Sequence, residues 1–187
     1  MLEETYLGLC YERGDGVKKD FEKAVYWYRK AAGNLDVVAL THLGLCYEKG
    51  IGVDQSLMIA AEWYEEAAER DFPMAQTRLG NCYELGLGAI KDDKKAVEWY
   101  KKAADQGDIE AQQRLGICYD LGIGVEKDTE QALYWYRKVA LEAYRKSFEE
   151  GSSIARERFD SGSELGIDVD DLKKERKDWY KVDIKTI

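Results

Sequence analysis

The chain of 187 residues has one proline, one histidine and no apolar run long enough to span a bilayer. Each scarcity removes a class of answer. With one proline, little interrupts helical patterns, because proline breaks helix interiors. With His42 as the sole histidine, no histidine-dependent triad or multi-histidine metal site can form unless that residue serves. Cations are short as well: Lys and Arg number 28 against 37 Asp and Glu, and the net charge of -9 repels phosphate backbones. A water-soluble chain is expected, with neither a nucleic-acid nor a membrane partner. No Ser-x-x-Lys occurs, and the G-x-G pairs lack the strand and third glycine of a phosphate-binding loop. The many carboxylates read as solvated helix faces, so no enzyme and no cofactor are expected. Met1-Leu2-Glu3-Glu4 shows no leader, although the chain opens mid-helix, which leaves room for a missing targeting segment.

What the chain has is repetition. LGLCYERGDGV from Leu7 returns as LGLCYEKGIGV from Leu43, LGNCYELGLGA from Leu79 and LGICYDLGIGV from Leu115, at a step of 36 residues. A second block keeps phase: AVYWYRKAA from Ala24, AAEWYEEAA from Ala60, AVEWYKKAA from Ala96 and ALYWYRKVA from Ala132. Both have helical spacing. Ala39, Leu43, Cys46 and Tyr47 form one apolar stripe, and Ala60, Trp63, Tyr64, Ala67 and Ala68 form another. Gly50 is placed to end the first helix and Gly52 to continue the turn. Asp20, Ser56, Asp92 and Asp128 precede the second helix, where a short oxygen side chain caps backbone N–H groups, and Gln131 completes a capping box in the last copy.

Gly44, Gly80 and Gly116 lie inside the first helix, where each costs about 1 kcal/mol relative to alanine. Close approach of the paired helix is the expected compensation, with Trp and Tyr of the second helix filling the space as core. The predicted fold is all-α: an α/α solenoid of 36-residue antiparallel helix pairs, with repeats at 1–36, 37–72, 73–108 and 109–140, the first incomplete. Residues 141–187 read as an extended helix and a degenerate fifth repeat acting as a C-terminal cap. Ala155 onward aligns with Ala111 at an offset of 44, which includes an 8-residue insertion. A partly disordered tail is the rival reading, favoured by Asp168 to Asp171 and the charges from Lys173 to Asp178.

The pattern LGxCYxxGxGVxxDxxKAxxWYxxAA resembles the Sel-one-like repeat, a relative of the tetratricopeptide repeat. The resemblance implies a right-handed superhelix whose first helices line a concave face, and adaptor roles in assembling complexes. Cys10, Cys46, Cys82 and Cys118 share one register on successive helices, which lie about 8–10 Å apart, beyond the roughly 7 Å Cα limit of a disulfide. They cannot converge on one zinc ion either, so no metal is expected. Secreted cysteine-rich relatives carry two cysteines per unit, whereas this chain has one, which points to free thiols and a reducing compartment such as the cytoplasm. Some relatives have been associated with β-lactam hydrolysis, which leaves a hydrolase as the least favoured reading.

Positions that vary on the fixed frame are candidates for recognition. Thr41, Thr77 and Gln113 share one register, His42, Arg78 and Arg114 the next, and Leu45, Asn81 and Ile117 a third. On a concave face Arg78, Arg114 and Asn81 would offer donors to a carboxylate or carbonyl. Leu45 and Ile117 would offer apolar contact or, alternatively, pack against the adjacent unit. A protein or peptide partner is expected, with end-to-end self-association through repeat 1 as the alternative.

Overall fold

The computed structural model describes residues 2–149, and among these every regular element is a helix. In order they are α1 (Leu2–Arg13), α2 (Phe21–Ala32), α3 (Val37–Lys49), α4 (Leu57–Ala68), α5 (Pro73–Leu85), α6 (Asp93–Asp105), α7 (Ile109–Leu121) and α8 (Thr129–Glu149). Two compact units divide the chain, Met1–Trp135 and Tyr136–Ile187. In the first, α1, α3 and α5 pack on α2, α4 and α6, and α3, α5 and α7 pack on the second helix of the preceding repeat, which makes a helical repeat solenoid of two layers. Of the second unit, residues 136–149 are described and are helical, the later part of α8. The fifth repeat expected at 151–187 lies outside the described residues. No described helix is long and apolar enough to cross a membrane.

Local chemistry sets the helix ends. The carboxylate of Asp20 accepts from the N–H of Lys23, Ser56 Oγ from that of Ile59, and Asp92 from those of Lys94 and Lys95. Gly50, Gly86 and Gly122 then end the first helices in the left-handed conformation, their N–H groups returning to the carbonyls of Cys46, Cys82 and Cys118. The second glycine of each pair does more than continue the turn. A Cβ on Gly88 would overlap the carbonyl oxygen of Leu57, at the start of the previous repeat's second helix. Gly52 and Gly124 sit against Phe21 and Asp93 in the same way, so one glycine ends its own helix and the other admits the neighbouring repeat.

The helix-interior glycines answer to tyrosine. Tyr64 is fully buried, and its ring occupies the space where a Cβ of Gly44 would stand; Tyr28 meets Gly8 and Tyr100 meets Gly80 in the same way. Burying so large a ring offsets the roughly 1 kcal/mol that the glycine costs. The tryptophans one residue earlier do less, since Trp63 and Trp99 lie half-buried at the edge of the core. Fully buried Ala31, Ala67 and Ala103 bring the second helices close to their neighbours.

Candidate functional site

The first helices are stitched side by side by polar side chains, and these bonds place the candidate residues. Thr5 Oγ1 donates to Asp36 Oδ2 at 3.0 Å, and Thr77 Oγ1 to Asp108 Oδ1 at 2.9 Å. Each aspartate also caps the helix it precedes. Where Phe72 replaces that aspartate, Thr41 Oγ1 donates instead to the carbonyl of Val37 in its own helix, at 2.7 Å. Thr41 and Thr77 are fully buried. Their place among groove-facing residues is therefore corrected: a fully buried side chain cannot touch a partner, and at Thr5 and Thr77 this register joins repeats. Gln113, in the same register, is exposed.

The neighbouring register sets nitrogen-bearing side chains against carboxylates of adjacent first helices. His42 Nδ1 lies 3.4 Å from Glu12 Oε2, and Arg114 Nη1 lies 3.6 Å from Glu84 Oε2. Arg78 turns the other way, with Nη2 at 3.8 Å from Glu110 Oε2. Buried phenols hold Glu12, Glu84 and their register-mate Glu48 from beneath: Tyr28 donates to Glu12 at 2.5 Å, Tyr64 to Glu48 at 2.6 Å and Tyr100 to Glu84 at 2.5 Å. Burial first, and then the bond to the carboxylate, push all three phenols well above the usual tyrosine range, so they act as neutral donors. The bond from His42 holds the Glu12 carboxyl below the usual range, against the opposing effect of its own burial and with help from Tyr28. His42 also stacks on the Tyr28 ring, with centroids 5.0 Å apart. The three register-mates thus have carboxylate partners inside the array, and being part-exposed, such pairs contribute at most about 1 kcal/mol each.

Asn81 Nδ2 donates to Glu110 Oε1 at 3.0 Å, and its Oδ1 lies 2.7 Å from the Tyr100 hydroxyl. Arg78, Asn81 and Arg114 therefore come together around a recess of about 200 Å³, with Glu48, Tyr64 and Glu110 also in its walls. Arg78 Nε is buried there with no partner. Leu45 packs on the core, whereas Ile117 is 38% exposed. The cysteines are buried and free, and burial pushes the thiols of Cys46, Cys82 and Cys118 up to about 11, which leaves them unreactive near neutrality.

A second recess was not anticipated. It has a volume of about 750 Å³ between α1 and the start of α3, and Tyr6, Leu9, Leu35 and Val38 supply much of its wall. Leu35 has φ 60, a left-handed conformation that costs a leucine about 1–2 kcal/mol. The turns at Asp71 and Gly107 adopt positive φ with residue types that tolerate it better. The available signals were Tyr6 standing in the register of His42 and the irregular Gly33-Asn34-Leu35.

The Sel1 repeat profile matches residues 4–34, 37–72, 73–108 and 109–143. The chain is similar to the crystal structure of a Sel1 repeat protein from Oxalobacter formigenes, with 33% identity and a TM-score of 0.68 over 86% of this chain and 44% of that one. It is similar also to c5321, a protective antigen of uropathogenic Escherichia coli strains displaying an SLR fold, with 30% identity and a TM-score of 0.71 over 87% of this chain and 42% of that one. With Helicobacter pylori cysteine rich protein B the identity is 28% and the TM-score 0.52, over 76% of this chain and 96% of the other. The chain thus spans less than half the length of the first two proteins. No curated protein matches it significantly. By the four matched repeats and the helix pairs that realise them, the chain belongs to the Sel1 repeat family.

Proposed function

We propose that this chain is an interaction scaffold that holds an extended peptide or protein segment along its first-helix layer. Sel1 repeat arrays are generally protein-interaction scaffolds and typically non-catalytic. The observation that carries the reading is the recess around Arg78, Asn81 and Arg114, where a fixed frame presents side chains that packing does not dictate. Arg78 supports it most directly, because its side chain is 32% exposed and the end of its guanidinium can donate to an incoming carbonyl or carboxylate. The test is selection of binding peptides from a displayed random library, followed by replacement of Arg78 and Arg114 by alanine. A fall in affinity of about tenfold or more is expected. Unchanged affinity would remove the recess from the binding surface.

End-to-end association is the second reading, and repeat 1 supplies its observation. Gly16 has nothing within 4 Å at the position where Gly52, Gly88 and Gly124 meet a neighbouring helix. Leu7 is half-buried, whereas Leu43, Leu79 and Leu115 are fully buried. Light scattering that reports a monomer at every concentration would dismiss this reading.

A further inference from the structure

Resting on the groove reading above, we propose that the recess between α1 and α3 is the anchor subsite of that groove, taking one aromatic or leucine side chain from a partner segment that carries lysine or arginine beside it. The apolar character comes from Tyr6, Leu9, Leu35 and Val38, and the volume of about 750 Å³ exceeds what one such side chain fills. Tyr6 is 66% exposed and Leu35 is 53% exposed, so both leave apolar surface in water. Nothing in the fold asks for leucine at that turn, since Asp71 and Gly107 make the same turn with residues better suited to positive φ. A leucine held in an unfavourable backbone and left exposed is explained by something that covers it.

Charge complementarity selects the flanks of the anchor. The charged residues lining the recess are Glu3 and Asp36, both carboxylates. Glu4 beside them is already paired with Lys30 at 3.2 Å, and the chain as a whole carries -9. A cationic neighbour of the anchor is attracted and an acidic one repelled. The two recesses lie about two first helices apart, roughly 20 Å at the usual packing distance, which about six extended residues can span.

The experiment selects displayed random peptides of about 12 residues, long enough to reach both recesses, against the full chain. Enriched peptides are synthesised with a fluorophore and titrated against the unmodified chain, Leu35→Gly, Tyr6→Ser and the Arg78→Ala/Arg114→Ala double variant. Enriched sequences are expected to share an aromatic residue or leucine next to lysine or arginine, and to lose about tenfold or more in affinity on Leu35→Gly and on Tyr6→Ser. Leu35→Gly should meanwhile keep or raise Tm, since glycine suits the backbone there, and Tyr6→Ser alters an exposed side chain. Peptides without such an anchor, or with acidic flanks, overturn the proposal, as does binding indifferent to both substitutions. Loss confined to the arginine double variant overturns the anchor while the groove reading stands. If no peptide is enriched, both fall.

Discussion

Between α1 and α3 the first-helix layer presents Tyr6, Leu9, Leu35 and Val38; two repeats later the same register positions hold Arg78, Asn81, Gly107 and Glu110. One wall is apolar and the other is a hydrogen-bonded network of charges. Thr5 with Asp36 at one end and Thr77 with Asp108 at the other make the same bond beneath both. The difference teaches where freedom lies: residues that join repeats are held by packing, while those one position away carry whatever chemistry the surface needs.

The largest expected effect breaks the frame itself. Gly88→Ala should destabilise by about 3 kcal/mol or more, because the new Cβ meets the Leu57 backbone as well as an unfavourable φ of 76°. Gly16→Ala, in the same register with φ 71° but open space around it, should cost only the backbone term of about 1–2 kcal/mol. Equal losses in urea denaturation would mean that the contact between repeats is not what demands the second glycine. Tyr100→Phe comes next. Removing the hydroxyl that lies under Glu84 and Asn81 should cost about 1–3 kcal/mol by the same measurement, with the helical circular dichroism spectrum unchanged.

Titratable groups give effects of intermediate size. The raised thiols of Cys46, Cys82 and Cys118 contribute stability that is complete below their ordinary value of 9.0 and lost as pH rises towards about 11. Melting temperature should therefore hold from neutrality to about pH 9 and then fall, with the raised tyrosines adding to the loss above their ordinary value of 10.0. On the acid side the lowered Glu12 gives the opposite sign: its contribution is present above its ordinary value of 4.5 and disappears as pH falls through the depressed one. Glu12→Gln should flatten that acid limb; a profile identical to that of the unmodified chain would remove the His42 junction from the account. The smallest effect compares two threonines. Thr77→Val should cost about 1 kcal/mol by breaking the bond to Asp108, whereas Thr41→Val, which breaks only a bond within its own helix, should cost less.

Periodicity made the helix pairs, the caps at Asp20, Ser56 and Asp92 and the closely packed interior glycines legible in advance, because each depends on residues near one another in the chain. The choice of tyrosine over tryptophan as the ring that fills the glycine notch was not legible, since both recur at the same step and only the direction each side chain takes across the helix pair separates them. For the candidate site, the register comparison singled out Arg78, Asn81 and Arg114, which the fold gathers around one recess, and also Thr41 and Thr77, which it buries. That register varies only at Gln113, which is exposed, whereas Thr5, Thr41 and Thr77 are identical and buried, so identity within the register was the available sign of packing.

By itself, then, the sequence determined the repeat, its family and the ends of its helices, because a period of 36 residues and short-range capping depend on local spacing. Tertiary structure alone decided which surfaces remain open. The burial of Thr41, the turning of Arg78 towards Glu110 and the meeting of Tyr6 with Leu35 all depend on how one repeat leans on the next. That angle is set by close packing between residues about 30 positions apart in the chain, which no local pattern records.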